Sequence, residues 1–442
     1  MLICGNCWGF FGLKKKKDFP GSGELIRRTV LLSLAVCLAE CGGGGGGGSS
    51  STSSGPTLEQ VVAEFVQPQL DRHRDRKIGV VVGTVGPVKG VVKTNIFYFG
   101  KLKDQVGNPL PLNGGTEFEI GSVTKTFTAT ILASLLQGQP SLIDTSVGSI
   151  FSGTPSFGGE VPTIGELANY NSGLPDTNRG SGSGSCTFSG GTITTCYDMT
   201  LLLENLSNPA LTALFFAPGT EYLYSDLGFA LLALAEPVLN GSTATDPLTL
   251  LLEWEGLLGS IVLQPLGMNS THAFDPVNDP ALLPLGYRLE SSGKIDIGLG
   301  HNTSWPAFIG AGGIVSTPDD MMIYLKYNLG LLATPLNTLL PTLHTPSTTV
   351  TTKDGEQIAL AWFLGTLKGS SIPFISKNGE VPAFSAQVDF APSTNTGVFV
   401  ITNAAADPGE TPIVDVQLTA YKVLQILNGL LPTGGGPSGD QP

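Results

Sequence analysis

The sequence predicts an α/β (α+β) fold: one antiparallel sheet built from both ends of the chain, flanked by terminal helices, with a mostly helical subdomain inserted between them. Three observations predict it. Strand-like apolar runs bounded by turn residues fall within residues 78–120 and again within 359–402. The region between, about 125–330, carries helical spacing and Gly/Pro-rich loops, and helical segments close both ends of the span.

Taken in order, residues 57–70 form an amphipathic helix opened by Pro56-Thr57. Residues 78–85, 91–98 and 117–120 are strands separated by Gly-containing turns. A helix over 124–137 sets Phe127, Ile131, Leu132, Leu135 and Leu136 on one buried face. After the insertion, residues 359–367, 373–376, 384–390 and 397–402 read as strands, the last two joined across Ser393-Thr394-Asn395, and 412–431 as the closing helix. The cleft between sheet and insertion would hold the junction at Gly121-Ser122.

A chain of 442 residues, 41% hydrophobic and 13% charged, can bury a large core in one sizeable domain or two intimately packed ones. Its net charge of −13 argues against nucleic acid or an anionic membrane surface as the main partner, because both require concentrated Lys and Arg. Arg27-Arg28 precede an apolar run over 29–39 that is too short to span a bilayer and fits a signal-peptide core. Leu38-Ala39-Glu40-Cys41 resembles a bacterial lipobox, which makes Cys41 the lipidation candidate, although Glu40 departs from the small residue expected there. Leu34-Ala35-Val36-Cys37 is no better a box, and plain secretion is the alternative. The expected organisation is therefore a leader and lipoprotein signal peptide over 1–41, a Gly/Ser tether over 42–56, a catalytic domain over 57–430 and a disordered tail over 431–442. Export to the periplasm or cell surface follows, with membrane contact only through the lipid anchor.

Cys4, Cys7, Cys37 and Cys41 all lie in the leader, leaving Cys186 and Cys196 beside a Gly/Ser/Thr-rich loop, where a local disulfide is the natural pairing in an exported protein. His73, His272, His301 and His344 are scattered without ligand spacing, so no metal and no cofactor are expected, and no Ser-His-Asp triad is in view. A monomer is the default expectation.

The chemistry concentrates at Phe118-Glu119-Ile120-Gly121-Ser122-Val123-Thr124-Lys125, where a strand-like run ends in Gly-Ser and a helix begins with Ser-x-x-Lys. A serine hydroxyl needs a base within hydrogen-bond reach, and a lysine three residues on along a helix lies on the same face. Opening the helix at Ser122 would also set its backbone N–H at the positive end of the helix dipole, where oxyanion charge is stabilised. Serine is equally a common helix cap, and Ser-x-x-Lys recurs by chance. Ser291-Ser292-Gly293-Lys294 has the same spacing, but in a polar hairpin turn that no helix can organise.

Two further segments raise the signal. Pro218-Gly219-Thr220-Glu221-Tyr222-Leu223-Tyr224-Ser225-Asp226 places Tyr224 in a turn before an apolar helix, and Phe374-Ile375-Ser376-Lys377-Asn378-Gly379-Glu380 ends a strand with Lys-x-Gly. With Ser122 and Lys125 these resemble the ordered motifs S-x-x-K, Y-x-N and K-T-G of the serine β-lactamase and penicillin-binding protein superfamily, in its class C β-lactamase and D,D-peptidase branch. Asn171-Ser172-Gly173-Leu174-Pro175-Asp176, Gln264-Pro265-Leu266-Gly267-Met268 and Ala311-Gly312-Gly313-Ile314-Val315-Ser316-Thr317-Pro318 resemble accessory segments of the same family. The similarity covers about residues 57–430.

The resemblance implies a β-lactamase/transpeptidase-like fold in which Ser122 attacks a carbonyl, Lys125 and Tyr224 share the proton work, and the backbone N–H groups of Ser122 and Glu380 form the oxyanion hole. It also implies substrate contacts from Asp226, Lys377, Asn378 and Gly379. Lys377 would bind a substrate carboxylate or lower the Tyr224 pKa, and the missing side chain of Gly379 would let substrate lie against the strand. Lys353-Asp354-Gly355 repeats Lys-x-Gly in a polar turn, so that motif is weak alone. Three positions depart from the pattern. Asp226 stands where an asparagine is usual, Asn378 replaces the K-T-G threonine, and Tyr170-Asn171 stand where His-Thr is usual. If Asp226 faces Lys125 it would hold that lysine protonated and favour Tyr224 as base; if it faces a substrate carbonyl it would repel it. An alternative register sets Ser225-Asp226-Leu227 against the S-D-N of class A enzymes, but the flanking residues favour the tyrosine reading. The expected activity is hydrolysis of D-Ala-D-Ala-type cell-wall peptides or β-lactams. A carboxylesterase on small esters and a non-catalytic cell-wall-binding homologue are the alternatives.

Overall fold

The computed structural model describes residues 56–431 apart from 89, 177–187, 190, 191, 194–198, 274–282, 294, 299–305 and 408. The expected leader, tether and Cys41 anchor, the Cys186–Cys196 pairing and nearly all of the tail lie outside the described residues. Helix α1, Leu58–Arg72, is capped by Thr57, whose hydroxyl accepts from Gln60 N while Gln60 returns a bond to the Thr57 backbone. Strands β1, Gly79–Val88, and β2, Val91–Gly100, form a hairpin, and helix α2, Thr124–Gly138, follows. In the insertion, α3, Asp226–Leu239, and α4, Pro247–Leu257, are the longer apolar helices. The C-terminal part supplies β3, Gln357–Ala359, β4, Trp362–Thr366, β5, Pro373–Val381, β6, Phe384–Ala391, and β7, Thr396–Thr402, and closes with α5, Val416–Leu427.

These strands make one seven-stranded sheet in the order β3-β4-β5-β6-β7-β1-β2, antiparallel throughout. The first strand of the chain thus pairs with the last strand of the sheet, Val80 opposite Thr402 and Val85 opposite Gly397. Period-two alternation divides the core: Val80, Val82, Val398 and Val400 pack under α1 and α5, while Val81, Val85, Phe399 and Ile401 pack against the insertion. Full burial of such side chains contributes roughly 1.5–3 kcal/mol each. Asn403, fully buried, fastens the two chain ends: its amide donates to Lys77 O and Leu285 O and accepts from Gly79 N.

Three elements differ from the sequence expectation. Residues 359–367, expected as one strand, are split between β3 and β4 by a tight turn at Leu360 and Ala361, whose φ angles are +33° and +76°. Neither residue signals a turn. The strain is offset by hydrogen bonds from Leu360 N to Asn169 Oδ1, from Ala361 N to Ala168 O and from Tyr170 Oη to Ala361 O. Strand β5 does not stop at Ser376 but runs on through Lys377, Asn378, Gly379 and Glu380 to Val381, because β6 pairs with it along that whole length. The closing helix is shorter than 412–431, starting after the Asp415 cap. Ser291, Ser292 and Gly293 do lie in a turn between the paired strands Gly286–Leu289 and Ile295–Gly298. No described helix is long and apolar enough to cross a membrane.

Candidate active site

Phe118–Glu119 pairs with Val315–Ser316, and the chain then turns through Gly121, at φ +51°, into a single 3₁₀ turn, Gly121–Val123. The α-helix begins at Thr124, so Ser122 sits one turn ahead of α2 and not at its cap. That turn is seated on β5 backbone against backbone. A Cβ on Gly121 would lie 2.6 Å from Glu380 N, and one on Gly379 would lie 3.0 Å from Ser122 N and collide with Ile120 O. Gly379 therefore makes room for the turn that carries Ser122, which corrects the expectation that its missing side chain makes room for substrate. The same contact holds the backbone nitrogens of Ser122 and Glu380 beside one another's segments.

Lys125 is fully buried, and its ammonium has three acceptors: Ser122 Oγ at 2.9 Å, Ala311 O at 2.7 Å and Asp226 Oδ1 at 2.5 Å. Those three bonds match the three N–H groups of the side chain. Asp226 thus faces the lysine, the first of the two orientations the sequence leaves open. It occupies the first turn of α3 after the Ser225 cap, whose hydroxyl accepts from Gly228 N and donates to Pro175 O. Asp226 N donates to Asp176 Oδ1 at 3.1 Å, latching the 171–176 loop onto the start of that helix. Burial pulls the Lys125 pKa down, and the carboxylates of Asp226 and Asp176 act against that fall. Asp176 is in turn pushed up by burial and by Asp226.

Tyr224 stands between two lysines. Lys125 Nζ is 4.9 Å and Lys377 Nζ 5.1 Å from its ring centroid, and the Lys125 ammonium in turn donates to Ser122 Oγ. Its ring stacks on Tyr170 at 4.9 Å, and Tyr170 stacks on Phe363 at 5.5 Å. The sequence expectation was a tyrosine lowered by cationic neighbours. Burial, followed by Asp226, instead pushes Tyr224 well up, so the resting group is a neutral phenol. Lys377 is fully buried on the same face of β5 as Gly379, and its Nζ donates to Asn378 O at 2.9 Å and Asn378 Oδ1 at 3.2 Å. Burial and the nearby Lys125 hold it well below its ordinary value.

The structure thus gathers Ser122, Lys125, Tyr224, Asp226 and Lys377 around one point, with Asn378, Gly379 and Glu380 on the strand that seats the Ser122 turn. Sequence reasoning missed three contributors. Tyr170 adopts φ +54° to stack under Tyr224, Ala311 contributes only a carbonyl, and Asp176 acts through the backbone of Asp226. The signals for all three were the accessory segments themselves, whose side chains carry no chemistry in isolation. Among the described residues, no cluster of three or more His, Cys, Asp or Glu is placed to hold a metal.

A family model described as Beta-lactamase matches residues 58–419. Among curated relatives, the D-alanyl-D-alanine-carboxypeptidase/endopeptidase AmpH of Escherichia coli (strain K12) is 27% identical over 353 residues, covering 76% of this chain and 84% of that one. A beta-lactamase of Pseudomonas fluorescens is 24% identical over 393 residues, covering 78% and 93%. Among solved structures, a beta-lactamase/D-alanine carboxypeptidase from Yersinia pestis complexed with citrate superposes with a TM-score of 0.63 at 18% identity, covering 84% of this chain and 98% of that one. A class C beta-lactamase gives a TM-score of 0.61 at 21% identity, covering 83% and 96%. At these identities the structural likeness speaks to the fold alone.

Proposed function

Because the chain belongs to the β-lactamase family, we propose that it is a serine hydrolase acting through an acyl-enzyme on Ser122, with D-Ala-D-Ala-type cell-wall peptides or β-lactams as substrates. The observation that carries this reading is the 2.9 Å hydrogen bond between Ser122 Oγ and a buried Lys125 that Asp226 holds in place. As Ser122 Oγ attacks the substrate carbonyl, Lys125 passes a proton to Asp226 and takes the serine proton, so the buried pair goes from neutral to a single positive charge that balances the negative oxyanion. The Ser122 and Glu380 N–H groups receive the oxyanion. Tyr224, a neutral phenol beside Lys125, protonates the departing amine and recovers its proton from Lys125. Water then attacks the ester with the same groups working in reverse. The names of the E. coli and Pseudomonas relatives support the substrate class, and the apolar run over 29–39 supports export.

One observation favours esterase activity as a second reading. Lys377 is buried and already donates to two Asn378 oxygens, which leaves it poorly disposed to greet a substrate carboxylate and suits an uncharged acyl group.

Labelling with a fluorescent penicillin tests the enzyme reading: the wild type takes the label and Ser122→Ala does not. A wild type that neither labels nor cleaves a 4-nitrophenyl ester overturns it and leaves the non-catalytic homologue. Turnover of a D-Ala-D-Ala peptide against that of the ester ranks the two substrate readings.

A further inference from the structure

Central strand β6 carries an amide and a carboxylate on the face of the sheet where Val80, Val82, Val398 and Val400 pack under α1 and α5. Gln387 lies opposite Val400 and Asp389 opposite Val398, both on the face covered by α5, while Lys377 of the Ser122 site pairs with Val388 on the other face. Asp389 is 2% exposed and Gln387 6%. Gln387 Nε2 donates to Asp389 Oδ1 at 2.5 Å, and Gln387 Oε1 has no hydrogen-bond partner. A buried carboxylate and an orphaned amide oxygen together are costly unless something donates to them. No protein cation does: the residues lining the adjoining cleft of about 1100 Å³ include no lysine or arginine.

The rest of the wall is equally one-sided. Glu356 and Asp415 add carboxylates, and Phe374 and Tyr421, packed edge to face at 5.5 Å, add aromatic surface. The described residues offer no set of metal ligands. Acceptors at the floor, acids on the wall and rings beside them match a ligand with N–H donors, positive charge and an apolar body. We propose that this cleft binds an organic ammonium ion, its nitrogen donating to Asp389 and Gln387 Oε1 and its apolar part lying against Phe374 and Tyr421. Burial and the neighbouring Glu356 push Asp389 up to about 7, a carboxyl poised to ionise when a cation arrives.

Calorimetric titration of the full chain with benzylammonium, and with benzyl alcohol as its uncharged counterpart, tests the site. Saturable binding of the ammonium to wild type and Ser122→Ala alike is expected. Affinity should be about tenfold or more weaker for the alcohol, and weaker by a similar factor for the ammonium in Asp389→Asn, because a charge-assisted hydrogen bond is lost in each case. Asp389→Asn should still acylate at the wild-type rate. Equal affinity for the alcohol overturns the proposal without reference to any variant. So does undiminished binding by folded Asp389→Asn, or loss of binding in Ser122→Ala, which would place the ligand in the acylation cleft. Absence of saturable binding means a cleft that holds water only.

Discussion

At Asp226 the chain puts a carboxylate where the related motif has an amide, and that carboxylate is spent on Lys125. Its charge raises the pKa of Lys125 and also that of Tyr224. Asp226→Asn removes both contributions, so both groups should titrate lower and the acid limb of the kcat/KM profile for ester hydrolysis should move to lower pH. An unmoved limb would show that neither group's ionisation governs acylation. The residues legible in the sequence were those whose chemistry survives isolation: Ser122 and Lys125 by helical spacing, Tyr224 and Lys377 by their order and settings. Tyr170 and Ala311 were not legible, because one acts by stacking in a left-handed conformation and the other by a backbone oxygen. Motif order could point to Asp226, but its orientation towards Lys125 depends on the 171–176 loop that grips its backbone.

Among elements, the contact between the Gly121–Val123 turn and β5 governs where the nucleophile sits. Gly379→Ala should force that turn off the strand, at a cost of about 1–3 kcal/mol in stability as an overpacked contact. Acylation should slow by roughly 100-fold, since about 1 Å of misplacement is that expensive at a reacting centre. Denaturant melts and single-turnover labelling read the two effects separately. A variant that labels at the wild-type rate would show that the turn can be seated elsewhere. Strands β1, β6 and β7 were legible from alternation and turn residues. The β3–β4 hairpin was not, because its turn residues Leu360 and Ala361 lack the Gly, Asn or Asp that usually marks φ > 0 and are held there by hydrogen bonds from 168–170.

For the whole molecule, two buried acids set the response of stability to pH. Asp389 rises from an ordinary 3.8 to about 7, and Glu236, buried in α3 and bonded by Trp254 Nε1 at 3.0 Å, rises well above its ordinary 4.5. Each keeps its proton in the folded state at pH values where the unfolded chain has released it. Their linkage therefore lowers stability as pH climbs, from about 4 to about 7 for Asp389 and from about 4.5 upward for Glu236. Asp389→Asn and Glu236→Gln should match wild-type melting temperature near pH 4 and exceed it at pH 8, by on the order of a few degrees. A gap that is constant with pH would mean that the two carboxyls titrate alike folded and unfolded. Burial on this scale was outside the reach of the sequence, where Glu236 is one acid in an apolar helix and Asp389 one acid in a strand.

The sheet that joins both chain ends also schedules the protein's activity. Gly79 and Asn403, which hydrogen-bond across it, are 324 residues apart, and the strand that seats the Ser122 turn is made long after the serine itself. Local contacts alone cannot complete the site, so a growing chain stays inert and unlocked until β5 and the strands flanking it have been added. The nucleophile is made early and armed late, when the sheet closes.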